Sequence, residues 1–201
     1  MSAADHAQVV IVGAGPVGLT LANLLGLEGI ETLLIERNPG TVPEPRAIAL
    51  DGESLRTLQA AGLAETVTAT LREGFVADYV NGEGAQLFVT DLNPRPYGFC
   101  LQNSFDQPTL EQQLLAGLTL FPSVTVMFET ELEAFSQDAA GVTASIVTQS
   151  DASRDISCDY LIGCDGGRST VRQRLGIEMV GDRLPQHWLV VDTIDHCLGE
   201  E

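Results

Sequence analysis

Gln8-Val-Val-Ile-Val-Gly-Ala-Gly-Pro-Val-Gly18 decides how this chain is read. Its β-branched run predicts a buried strand, and Gly13, Gly15 and Gly18 then open a helix that runs to about Glu28. Outward from it, Thr32-Leu-Leu-Ile-Glu36-Arg37 is a second apolar run closed by a carboxylate. Strand, tight turn, helix and acid at this spacing make the G-x-G-x-x-G dinucleotide fingerprint. Gly13 permits the turn, Gly15 lets the backbone approach a pyrophosphate, and Gly18 with Ala22 keeps the helix close to the strand. The phosphates would meet N–H groups at the positive end of the helix dipole. Glu36 would accept hydrogen bonds from an adenosine ribose. A glycine-rich turn without a ligand is the plainer alternative for a lone motif, and the acid at the expected distance favours a bound dinucleotide.

Composition excludes several classes. With 201 residues and 44% hydrophobic content, the chain can bury a core as one domain or two interleaved lobes. A formal net charge of −18 argues against nucleic acid, because a polyanion would be repelled. No apolar run reaches membrane-spanning length, so no membrane partner is expected, and the N-terminus lacks a secretory pattern. Cys100, Cys158, Cys164 and Cys197 form neither a C-x-x-C pair nor a metal-ligand spacing. Reduced thiols in a cytoplasmic protein are the simplest account. His6 is read as part of a disordered tail, and His187 and His196 as structural. No Ser-His-Asp or metal constellation appears. All ten basic residues are arginines, four of them (Arg168, Arg172, Arg174 and Arg183) in one short stretch. They could form an anion site or pair with surface carboxylates.

Prolines and a glycine at 38–45 exclude regular structure ahead of Arg46. Residues 51–61 read as a helix with Leu55 and Leu58 on one face, stopped at Gly62. Residues 75–79 and 85–89 read as a hairpin around Asn81-Gly-Glu-Gly84, the first sign of an antiparallel layer. A strand is predicted at 98–102, then a helix at 107–118 with Asp106 as N-cap and Pro108 in its first turn. Strands follow at 124–128, 131–136 and 142–147, read as a meander, with a tight turn at 138–141. A buried strand at 159–163 leads into Cys164-Asp165-Gly166-Gly167-Arg168-Ser169, a helix at 170–175, and a last strand at 188–192.

The Asp-Gly turn repeats the strand–turn–helix geometry of the first motif. Together the two resemble the single-component, FAD-dependent aromatic hydroxylases. Residues 45–63, Gln107-Pro-x-Leu-Glu111, residues 131–137 and Trp188-Leu-Val-Val-Asp192 look most like the hydroxyphenylpropionate hydroxylase branch. The resemblance implies an α/β fold: a Rossmann-type FAD-binding parallel sheet with an antiparallel β excursion and the start of a substrate-domain sheet. Residues 1–178 would form the FAD-binding domain, with 75–103 partly an inserted antiparallel layer, and 179–201 would begin a truncated substrate-binding domain. It implies NADH or NADPH as co-substrate, O₂, and a small phenolic acid hydroxylated through a flavin C4a-hydroperoxide. Gly13, Ala14, Gly15, Pro16, Val17 and Gly18 would cradle the FAD pyrophosphate, and Glu36 would hold the ribose with Arg37 beside it. Arg46 would reach the pyrophosphate, Gln102 the cofactor's sugar or ribityl chain, the Leu132 backbone the adenine, and Asp165 the ribose region. Plainer roles stay open: a surface position for Arg46, a neighbouring backbone group for Gln102, a helix cap for Asp165.

Two departures stand out. Glu44 occupies a position where some relatives carry a second arginine, and family members are much longer, with a downstream Gly-Asp motif. The chain therefore reads as an N-terminal part, whose partner is a missing C-terminal portion or another copy in a homo-oligomer. The alternatives are a non-catalytic dinucleotide-binding module and another flavoenzyme of the same fold, such as a halogenase or an isoprenoid-ring hydroxylase.

Overall fold

A computed structural model describes residues 6–43, 46–148, 153–182, 185–187 and 189, and in it the β-branched run forms strand β1 (His6–Val12). β1 is buried on both faces. Val9 and Ile11 enter one apolar cluster and Val10 and Val12 another, as the period-2 alternation of a strand requires. Helix α1 (Pro16–Leu27) follows, with Pro16 where a missing N–H costs nothing. Strand β2 (Thr32–Ile35) lies parallel to β1, Ile35 opposite Val12.

The chain then leaves this sheet. Strand β3 (Ala49–Asp51) leads into helix α2 (Gly52–Ala60), where the Asp51 carboxylate accepts from the Ser54 N–H at 2.7 Å. Short helix α3 (Ala64–Thr68) and strand β4 (Arg72–Glu73) follow. Strands β5 (Val76–Val80) and β6 (Gln86–Asp91) form the expected hairpin, closed by Asn81 Oδ1 accepting from the N–H groups of Glu83 and Ala85. Strand β7 (Gln102–Ser104) pairs antiparallel with β3 and β4. Helix α4 (Gln107–Gly117) is capped by Asp106, as its sequence predicts.

The rest returns to the main sheet as β8 (Val124–Met127), β9 (Thr130–Asp138), β10 (Gly141–Thr148) and β11 (Arg154–Gly163), followed by helix α5 (Thr170–Arg174). The six strands run β8-β2-β1-β11-β10-β9. The first four are mutually parallel, and β10 pairs antiparallel with both β11 and β9. The fold is thus mixed α/β with a mainly parallel sheet, as expected.

One cluster joins Val9, Ile11 and Leu34 of the sheet to Leu19, Leu55, Leu58 and Leu114 of the helices. The opposite cluster joins Val10 and Ile35 to Ile146, Ile156 and Val171. Each fully buried leucine or isoleucine contributes about 1.5–3 kcal/mol.

Three expectations shift. His6 belongs to β1, in register with Ser157 and 3.5 Å from Asp159, rather than to a tail. The strand predicted at 98–102 begins only at Gln102, because a turn closes ahead of it: the Gly98 N–H reaches the Arg95 carbonyl and Gly98 takes φ +86°. The run after residue 124 is not one meander, since β8 pairs parallel with β2 while β9 lies at the opposite edge. The strand predicted at 188–192 lies outside the described residues apart from Leu189.

Candidate functional site

Register brings four strand ends to one edge of the sheet. Val12 of β1 faces both Ile35 of β2 and Gly163 of β11, and Ile35 faces Met127 of β8. All four strands are parallel, so the segments leaving their carboxyl ends meet in one crevice, the usual ligand position in an open α/β sheet. A cleft of about 290 Å³ lies there. It is walled by the turn after β1, the loop after β2, the start of β9 and the Asp-Gly turn after β11.

The turn after β1 is stitched to both neighbours. The Gly13 N–H donates to the Ile35 carbonyl and the Cys164 N–H to the Val12 carbonyl, each at 2.8 Å. Gly13 has φ +105°, and a Cβ there would lie 2.5 Å from the Cys164 carbonyl oxygen, so only glycine fits. A Cβ on Gly18 would lie 1.9 Å from the Gly13 carbonyl oxygen, which lets α1 start directly against the turn. A Cβ on Gly15 would meet nothing within 4 Å, because that position faces the open cleft. The start of α1 has no side-chain cap, whereas α2, α4 and α5 are capped by Asp51, Asp106 and Ser169. Its first N–H groups are therefore suited to an anion.

Glu36 is anchored at the tip of β2. One carboxylate oxygen accepts from the Ala14 N–H at 2.9 Å, and the other accepts from the Asn38 N–H at 3.0 Å and Asn38 Nδ2 at 2.6 Å. The acid thus ties the glycine turn to its own loop while lining the cleft. Across the cleft, Asp165 Oδ2 accepts from the N–H groups of Thr170, at 2.6 Å, and Val171, at 3.3 Å. Its Oδ1 is buried without a partner among the described residues. Asp165 therefore supports the start of α5 and still presents an unsatisfied acceptor beside the cleft. Burial pushes the Cys164 thiol up, and the Asp165 charge adds to it.

Of the residues singled out from the sequence, Gly13, Ala14, Gly15, Pro16, Val17, Glu36, Arg37, Arg46, Leu132 and Asp165 all line this cleft. Gly18 packs beneath it. Gln102 stands apart, exposed on β7 opposite Asp51. Arg168 lines the cleft, whereas Arg172 turns back to the Gly167 carbonyl at 2.8 Å and Arg174 donates to the Glu133 carbonyl. Sequence reading passed over Asn38, Thr41 and Val42 of the second loop and Thr130 of β9, which also form walls. Their signal was positional: a loop leaving a parallel strand at its carboxyl end faces the crevice.

This sheet order and its edge cleft define a doubly wound, dinucleotide-binding α/β protein. Over residues 6–197 the sequence matches the family described as FAD binding domain. It is 42% identical over 197 residues to the 3-(3-hydroxy-phenyl)propionate/3-hydroxycinnamic acid hydroxylase of Comamonas testosteroni, covering 97% of this chain and 33% of that protein. The flavin-dependent monooxygenase PieE, solved with FAD and substrate, matches with a TM-score of 0.76 and 29% identity, over 85% of this chain and 32% of that one. Aklavinone-11 hydroxylase, solved with FAD and aklavinone, matches with a TM-score of 0.74 and 30% identity, over 87% and 36% respectively. The chain belongs to the FAD-binding domain family of flavin-dependent monooxygenases. It spans about a third of the length of the curated relatives it matches.

The residues present fit FAD. The Gly15 position is open, α1 has no side-chain cap, Asp165 Oδ1 lacks a partner among the described residues, and Arg37, Arg46 and Arg168 bring positive charge to the cleft of an acidic chain.

Proposed function

We propose that this chain forms the FAD-binding portion of an NAD(P)H-driven monooxygenase that hydroxylates a phenolic aromatic acid. The observation that carries the reading is the meeting of two glycine turns and Glu36 around an open Gly15 at the carboxyl edge of the sheet. FAD would lie with its pyrophosphate against residues 13–18 and the start of α1. Its adenosine ribose would take the Glu36 carboxylate, with Arg37 beside it and Leu132 flanking the adenine. Arg46 would set a fixed charge against the phosphates, and Asp165 would meet the ribose region. In such enzymes the bound flavin supplies oxygen activation after reduction by the nicotinamide. The chain's own contribution is to bind, orient and partly enclose the cofactor. Residues 1–178 would act as the FAD-binding domain, with O₂ and the aromatic acid as the remaining reactants. Unbridged Cys100, Cys158 and Cys164 support a reducing, cytoplasmic setting.

A fluorescence-quenching titration of the purified 201-residue chain with FAD tests this reading. Saturable quenching supports it, and no quenching by a folded chain overturns it. A second reading, cofactor binding without turnover, is favoured by the absence of histidine and tyrosine from the cleft among the described residues. Substrate-dependent NAD(P)H oxidation by the isolated chain would overturn that second reading.

A further inference from the structure

Loop 36–48 carries Arg46 to the cleft, and α4 holds it from behind. Gln107 and Glu111 stand four residues apart on one face of α4 and are buried, at 7% and 1% exposure. Gln107 Oε1 accepts from the N–H groups of both Arg46 and Ala47, each at 3.0 Å. Gln107 Nε2 donates to Glu111 Oε1 at 2.7 Å, and Glu111 Oε2 accepts from the Val42 N–H at 3.2 Å. The pair therefore grips the loop on both sides of residues 44 and 45. At the loop's ends, the Asn38 carbonyl accepts from Glu129 and the Ile48 carbonyl from Phe105.

We infer that Gln107 and Glu111 are positioning residues for the cofactor: they set the backbone at Val42 and Arg46, and so aim the Arg46 guanidinium at the FAD phosphates. Neither residue lines the cleft, so each acts through the loop. The inference rests on the FAD reading above. It has a directional signature, because every donor and acceptor in the grip is assigned. Glu111→Gln supplies one acceptor oxygen where two are needed, so an amide N–H must face either the Val42 N–H or Gln107 Nε2. Gln107→Glu sets two carboxylates face to face. The double swap Q107E/E111Q reverses one hydrogen bond and restores the rest. The carboxylate now at position 107 accepts from Arg46, Ala47 and the amide at position 111, and that amide's oxygen accepts from Val42. A pair needed only as apolar filling would show no such pattern, since all three variants keep nearly the same volume.

The experiment measures FAD affinity and amide hydrogen exchange at Val42, Arg46 and Ala47 in the full chain and in Q107E, E111Q, Q107E/E111Q, R46Q and R46Q/E111Q. Each single swap should weaken FAD binding by roughly tenfold and deprotect the three amides, and the double swap should restore both. R46Q should weaken binding without deprotecting Val42, and adding E111Q to R46Q should cost little more, because both act through one guanidinium. Single swaps that bind like the parent chain, a double swap worse than either single, or additive losses with R46Q would each overturn the inference. Should the single swaps fail to fold, an unprotected trio of amides in the parent chain, or a double swap that also fails to fold, overturns it. A parent chain that protects these amides yet binds no FAD defeats the FAD reading instead, and with it Arg46's part, while the grip itself stands.

Discussion

Gly15 and Gly18 lie three residues apart in one motif and answer to different demands. A methyl on Gly18 meets backbone at 1.9 Å, so Gly18→Ala must push α1 off its turn. We expect a stability loss of about 1–3 kcal/mol in urea unfolding, together with lost FAD binding. A methyl on Gly15 meets only open cleft, so Gly15→Ala should stay within about 0.5 kcal/mol of the parent and still weaken FAD by on the order of tenfold. Comparing melting and titration in the same two variants checks both. The thiols give a pH prediction. Burial raises the pKa of Cys164, with Asp165 adding to it, and burial likewise raises that of Cys158. An unfolded thiol ionises near about pH 8.5 while the folded one stays protonated, so this contribution is intact below that pH and is lost as pH rises through the folded value. The double variant C158A/C164A should therefore show a shallower alkaline fall in Tm than the parent. Spacing alone made the glycines and Glu36 legible. It could not show that Glu36 reaches back to the Ala14 N–H, or that Gln102 lies off the cleft, because both depend on how distant segments pack.

Between elements, Asn23 is the polar seam of an otherwise apolar interface. It is fully buried on α1, and its Nδ2 donates to Leu19 of its own helix and to the Leu114 carbonyl of α4, both at 2.9 Å. At the end of α4 the Leu118 N–H bonds Leu115 and Ala116, so the Leu114 carbonyl depends on Asn23. Gly117 lies close by, where a Cβ would be 2.6 Å from Asn23 Oδ1. Asn23→Leu should cost about 1–3 kcal/mol in chemical denaturation, since it strands a buried carbonyl, and should leave FAD affinity largely unchanged. At this scale the sequence spoke clearly wherever local signals agreed. Asp106 with Pro108 marked the start of α4, and Asn81 with Gly84 marked the hairpin. It was silent on β3 and β4, three- and two-residue strands that exist only because β7 pairs with both. It misplaced the strand near residue 100 because a glycine turn precedes it.

For the molecule as a whole, the β5–β6 hairpin is the exposed flank. It forms a two-stranded sheet of its own and leaves Val76, Val80, Leu87 and Val89 largely in solvent, while Tyr79 and Phe88 stack with ring centroids 4.2 Å apart. Isolated hairpins are marginal in water, and contiguous exposed apolar surface promotes association. Leu87→Glu should therefore lower concentration-dependent light scattering of the purified chain while FAD titration stays unchanged. Unaltered scattering would mean that the hairpin is not the sticky surface. The fold class was legible from the two motifs, whereas the strand order was not, since nothing local says that β8 and β11 flank the first two strands. That order has a kinetic consequence. β1 leaves the ribosome before the other described strands, yet one of its two sheet partners is β11, encoded near the opposite end of the described residues. Closing so long a loop is slow, and the fingerprint turn stays without its Cys164 wall until it closes. Flavin uptake should accordingly wait until β11 has been made, and stalled nascent chains released before residue 163 should capture none.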